Sequence, residues 1–231
     1  LACGAAGVLA WFVVPETRTF SAKAGAAATP STVPFMAQMR ILSSNIGYNM
    51  VCLVGLINAV VRTGGLFNVV PLLAATKLGL GPGQIGSLMA LGSLLGLAAS
   101  YPTGVLADRI GRKPIIVPSA LLTAAAFVVY CWAPSLVWFG IACALWGVAA
   151  AVNGAAPAAY AADNAQPGMN AAAMSGYRMV SDAGYVIGPI LLGLIVDWQG
   201  AEAGLLFAAA LVASAGLLFA RFAPEQWRRP R

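Results

Sequence analysis

The sequence predicts an all-α membrane protein: six complete transmembrane helices behind the end of a truncated leading one. Three observations predict it. Hydrophobic residues make up 60% of the 231 residues and charged ones 9%, where a soluble domain carries about 25% charged residues. The mean hydropathy is +0.83, and the apolar residues gather into runs near the ~20 residues that cross a hydrocarbon core. Basic residues, counted on alternate sides of these runs, fall almost wholly on one side.

The first run, Leu1 to Val14, is too short to span. It has no initiator Met, basic flank or small-residue cleavage site, so it does not look like a signal peptide. With Pro15-Glu16-Thr17-Arg18 behind it, residues 1–14 read as the exit half of a helix that begins upstream. Residues 15–46 form a linker of Ala, Thr, Ser and Pro with scattered basic residues, Lys23 and Arg40. Within it, Phe35 to Leu42 suits either a short amphipathic helix on the membrane surface or a helical lead-in to the next span.

Residues 47–223 carry the six spans, expected at Tyr48–Ala74, Ile85–Leu106, Ile115–Trp132, Leu136–Ala161, Ala171–Val196 and Gly204–Phe222. Turn residues separate them: Gly79-Leu80-Gly81-Pro82-Gly83, the basic loop around Gly111, Ala133-Pro134-Ser135, Asn164 to Asn170, and Asp197-Trp198-Gln199-Gly200. Residues 224–231 are a basic tail, and Phe222-Ala223-Pro224-Glu225 echoes Val14-Pro15-Glu16, as if two equivalent halves ended alike.

One side of the spans holds Arg18, Lys23, Arg40, Arg109, Arg112, Lys113, Arg178, Arg221, Arg228, Arg229 and Arg231; the other holds Lys77 with the acids Asp197 and Glu202. The positive-inside rule puts the linker, the basic loop and the tail in the cytoplasm of a cell (plasma or inner) membrane. The net charge of +6 therefore speaks of topology and not of nucleic acid. Cys3, Cys52, Cys131 and Cys143 stand singly in apolar runs, without metal-site or disulfide spacing. No histidine occurs, so any proton coupling uses carboxylates. No clustered nucleophiles, metal ligands or paired carboxylates lie at membrane depth; the reading is a non-enzyme with no cofactor, metal or catalytic residues.

The most specific segment is Gly104-Val105-Leu106-Ala107-Asp108-Arg109-Ile110-Gly111-Arg112-Lys113-Pro114. Gly104 is expected to let two helices approach, Asp108 to accept from backbone N–H groups, and Gly111 to supply the turn. Arg109, Arg112 and Lys113 hold the hairpin in the cytoplasm, Lys113 as an anchor. The pattern G-x-L-A-D-R-x-G-R-K resembles the cytoplasmic loop signature of the major facilitator superfamily (MFS).

That resemblance covers almost the whole chain and implies the end of a sixth helix, the central linker and the C-terminal six-helix half of an MFS fold. It also implies an inner gate network, in which the loop acid and arginine meet charges from neighbouring helices when the cytoplasmic side is closed. Asp163, Arg178 and Asp182 supply such charges, with Arg112 expected to pair with Asp163, and Arg178 with Asp108 or Asp182. Gly184-Tyr185-Val186-Ile187-Gly188-Pro189-Ile190-Leu191-Leu192-Gly193 resembles the family's G-x-x-x-G-P-x-x-G-G motif, with Leu192 departing from it. Gly184, Gly188, Pro189 and Gly193 either pack and kink a helix or share in coupling. Cys143 stands four residues before Gly147, where the family's first half usually carries a proton-coupling arginine. Its absence also suits a second half.

Arg62 stands near the midpoint of the first complete span, where an ionised side chain costs about 2.5–3.5 kcal/mol on insertion scales. Either it faces a water-filled pathway, with Asn58 and Asn68 on the same helix and Asn153 and Tyr160 as further polar groups, or it snorkels to an interface. The Gly64-Gly65 pair suggests a bend or close helix contact. The functional expectation is a secondary transporter of a small-molecule substrate by alternating access, exporting drug-like or organic-anion compounds against protons. Its partners are the lipid bilayer and the missing N-terminal six-helix half. A sugar or metabolite carrier and a non-transporting membrane subunit are the alternatives.

Overall fold

A computed structural model describes residues 33–225. The leading run, most of the linker and the end of the basic tail, with Arg18, Lys23 and Arg228 onward, lie outside the described residues. A short helix α1 (Phe35–Ser43) precedes α2 (Ile46–Leu78), α3 (Pro82–Ile110), α4 (Lys113–Trp132), α5 (Leu136–Asp163), α6 (Asn170–Gln199) and α7 (Ala201–Phe222). The last six are each long and apolar enough to cross a membrane. They match the six expected spans and run a few residues past them, because a helix continues beyond the hydrocarbon core until a residue breaks its hydrogen bonds.

Those breaks are local. Gly79, Gly111 and Gly200 take φ values of 63°, 99° and 88°, which only glycine adopts cheaply, so α2, α3 and α6 end there. The expected turn at Asp197 to Gly200 is thereby reduced to Gly200, with Asp197 and Trp198 still helical. Asn45 starts α2: its side-chain oxygen accepts from the Gly47 and Tyr48 N–H groups. This cap makes α1 a separate helix, seated through buried Leu42 and through Met39 against Gly176 of α6.

The helices pack as two related triplets, α2–α3–α4 and α5–α6–α7. Exchanging α2 with α5, α3 with α6 and α4 with α7 maps the major contacts onto one another: α2 against α6 becomes α5 against α3, α4 against α5 becomes α7 against α2, and α4 against α7 is kept. Two glycine seams carry this arrangement. A Cβ on Gly92 or Gly147 would strike backbone of the facing helix, α5 or α3, and one on Gly96 would come within 2.6 Å of the Gly147 carbonyl. On the other seam, a Cβ on Gly64 or Gly184 would strike the Gly188 or Leu56 carbonyl, and one on Gly188 would lie 2.5 Å from that of Val60. Small residues four apart let backbones meet, which is how helices associate where lipid removes the hydrophobic drive.

Between Val61 and Val69, α2 winds as a π-helix, and the Val70 N–H bonds the Gly65 carbonyl five residues back. The Gly64-Gly65 pair lies within it, Gly64 on Gly188 and Gly65 on the Phe127 ring. Gly104 and Gly193 meet nothing within 4 Å, so neither makes the close approach expected of it; the seam through Gly92 and Gly96 replaces the first. Pro189 lies on the exposed side of α6, and the helix continues through it.

Candidate functional site

A cavity of about 260 Å³ opens between α2, α4, α5 and α6. Asn58 and Arg62 come from α2, Thr123 from α4, Trp146 and Asn153 from α5, and Tyr177, Arg178, Ser181, Asp182 and Tyr185 from α6. At 1.5 Å per residue, Asn58, Thr123, Asn153 and Asp182 all lie about 15–18 Å from the end of the bundle that carries the basic loop. Arg62 lies about 24 Å from it, near the centre of its helix. Polar groups thus converge in a shallow slab around the midplane.

Asn153 is the hub. The Asn58 amide donates to its Oδ1 at 3.3 Å, the Ser119 hydroxyl bonds the same oxygen at 3.2 Å, and its own amide donates to Thr123 Oγ1 at 3.3 Å. Thr123 and Ser119 are buried and return their hydroxyls to α4 backbone. Sequence reasoning singled out Asn58 and Asn153 but missed Ser119 and Thr123. The available signal was two hydroxyls four residues apart in an apolar span, pointing to one helix face.

Arg62 is exposed and lines this cavity, its guanidinium 5.8 Å from the Phe67 ring centre. Asp182 and Arg178 line the same cavity. Neither expected ion pair of Arg178 forms: among the described residues the ion pairs are Arg112–Asp163 and Lys77–Glu202. Asp108 sits on α3, which packs on α5 and not on α6, and Asp182 shares the cavity with Arg178 without closing on it. Arg178 is therefore a cavity residue two turns inside α6, where a loop charge was expected. The cavity wall also carries amides, hydroxyls and aromatic rings together.

The expected pairing of Arg112 with Asp163 is present, Nε to Oδ2 at 2.6 Å, joining the start of α4 to the end of α5. Asp108 and Gly104 line a cleft of about 190 Å³ beside Arg112. Arg109 is exposed on the last turn of α3. Lys113 does more than anchor: its ammonium donates to the Ala223 carbonyl at 2.6 Å, at the end of α7. Tyr160 is not in the cavity. It is buried, its ring meets Phe219, and its hydroxyl donates to the Pro224 carbonyl at 2.5 Å. Asn68 is outside the cavity too; its amide donates to the Thr63 carbonyl at 2.6 Å and serves the backbone of the π-helical stretch. At the opposite end of the bundle, Lys77 joins Glu202 at 2.5 Å and donates to the Cys131 carbonyl.

No group of three or more metal-ligating side chains occurs among the described residues. The chain is similar to two MFS-type transporters of Mycobacterium tuberculosis, Rv0849 of strain ATCC 25618 / H37Rv and MT0872 of strain CDC 1551 / Oshkosh, each 31% identical over 154 residues. The match takes in 65% of this chain and spans 36% of each relative's length. The family model for the Major Facilitator Superfamily matches residues 51–231. Six apolar helices, the basic hairpin loop and that match together make this a multi-pass membrane protein belonging to the Major Facilitator Superfamily.

Proposed function

We propose that the chain is the C-terminal half of a secondary carrier, with residues 47–223 as its six-helix domain, which exports a small organic anion in exchange for protons by alternating access. The observation that carries this reading is the mid-depth cavity holding Arg62, Arg178 and Asp182 among amides and aromatic rings. Charged groups at membrane depth cost several kcal/mol unless they serve a pathway, and substrate sites of such carriers lie near the bilayer midplane between repeats. Two arginines against one carboxylate favour an anion. Asp182 is the one carboxylate among the residues lining the cavity, which makes it the proton carrier in the absence of histidine.

Arg112, Asp163 and Asp108 form the cytoplasmic gate in this reading. An exposed pair of this kind contributes only about 0–1 kcal/mol, so its value lies in existing in one conformation and not in another. The basic end of the bundle faces the cytoplasm. The second half of the cavity comes from a preceding six-helix half.

The test is uptake into sealed vesicles containing the full-length protein, driven by an imposed pH gradient. Asp182→Asn should abolish the dependence on the gradient while leaving expression intact, and Arg62→Ala should weaken the apparent affinity for anions. Asp108→Asn should slow transport. A protein that moves neither solute nor proton would sink the carrier reading. A neutral polyhydroxylated solute is the second reading, favoured by the Asn58–Asn153–Thr123 cluster beside Trp146; uptake of uncharged sugars unaffected by Arg62→Ala would select it.

A further inference from the structure

A smaller pocket of about 150 Å³ lies behind Arg62, between α2, α3, α4 and α5. Arg62 and Trp146 line both this pocket and the main cavity, so the two communicate past those side chains. Its remaining wall is Phe67, Met89, Tyr130 and Cys143, with Leu66 and small residues. The Tyr130 hydroxyl is fully buried, and the one polar side chain beside it is the Cys143 thiol, with no hydrogen bond of ordinary geometry among the described residues. The Cys143 thiol lines the same pocket and is only a weak acceptor.

Two unmet demands therefore converge on one small volume. A buried hydroxyl left with only a weak thiol acceptor forgoes most of an ordinary hydrogen bond, against about 1–3 kcal/mol for one with no partner, and Arg62 has no ion pair among the described residues. A void of about 150 Å³ with apolar walls is enough to hold a benzene ring. Aromatic and sulfur-bearing walls, Phe67, Trp146 and Met89, favour a flat π surface over an aliphatic one.

We propose that this pocket is an aryl subsite: it takes one ring of an aromatic anion whose acid group is held by Arg62 and whose far edge offers an acceptor to the Tyr130 hydroxyl. The proposal rests on the organic-anion reading above and narrows it to aryl acids carrying a second, acceptor group. The ring leaves the main cavity past Trp146, and the acid stays at its mouth, within reach of Asn58 and Arg178. Ordering of substrates by ring and by acceptor follows from the two demands.

The experiment measures binding to the full-length protein in nanodiscs with four probes: 4-acetylbenzoate, its near-isostere 4-isopropylbenzoate, which lacks the acceptor, cyclohexanecarboxylate, and benzylammonium. Expected is the order acetylbenzoate, isopropylbenzoate, cyclohexanecarboxylate, with benzylammonium not bound. Tyr130→Phe, which removes one oxygen and no packing, should weaken 4-acetylbenzoate roughly five- to tenfold and leave 4-isopropylbenzoate unchanged. Arg62→Gln should weaken all three anions. If the anions bind through Arg62 but ring and acceptor make no difference and Tyr130→Phe is silent, the subsite is overturned and the anion reading stands. If no anion binds, or Arg62→Gln changes nothing, both fall.

Discussion

The two glycine seams occupy equivalent places between the two triplets, yet only one of them carries mid-depth charged side chains on its own helices. Along α3 and α5, Gly92 and Gly96 face the backbone of Cys143 and Gly147. Along α2 and α6, Gly64, Gly184 and Gly188 make the same kind of contact, but Arg62, Arg178 and Asp182 flank it and α2 is wound as a π-helix there. The outer helices of the two seams, α3 and α6, are alike even in burial, each 17% over its most apolar window, against 61% for α2. Close backbone approach is thus a property of the repeat, while chemistry is a property of the side chains that one copy of the seam happens to carry.

The comparison can be broken first at the silent seam. Gly147→Leu drives a branched side chain into the Gly92 backbone, and a loss of about 3 kcal/mol is expected, at the upper end of overpacking costs, read by detergent-driven unfolding of the full-length protein. Gly188→Val on the other seam should cost about 2 kcal/mol, because part of the clash is with Thr63 Oγ1, a side-chain atom that can turn away. This second substitution should also slow transport at temperatures where the protein remains folded; equal transport defects from both seams would erase the distinction between them. Smallest is Arg112→Gln, expected to change stability by about 0–1 kcal/mol while altering transport rate. A stability loss well beyond that range would make the pair a structural clamp and not a switch.

The six spans and their connections were legible because twenty apolar residues and a glycine at each break are local signals. The Arg112–Asp163 pair was legible only through the loop pattern, since nothing local says which helix lies beside α4. The placement of Arg178 failed for a related reason: counted by loops it belongs to the basic end, but two turns into α6 a side chain points where the packing of α2 and α5 leaves space. Tyr160 and Asn68 looked like pathway groups because polarity in an apolar run is all a sequence offers. Their hydroxyl and amide instead satisfy backbone carbonyls, at Pro224 and Thr63, an outcome common for isolated polar residues between helices. The poorly partnered Tyr130 hydroxyl was invisible, because it depends on the neighbouring helices bringing no more than the Cys143 thiol near it.

The π-helical stretch of α2 also fixes which way the far end of that helix faces. Wider winding absorbs extra chain length and resets the phase of everything after it, so Val70–Leu78 keeps Lys77 over Glu202 and the Cys131 carbonyl. Removing a single residue from the regular winding between Val70 and Lys77, where no wider coil takes up the change, would swing the outer end of α2 by about 100°, one residue's worth of helical rotation. Lys77 would then turn away from its partners at the far surface, at the opposite end of the bundle from the basic loop, without any change to the residues that hold it there.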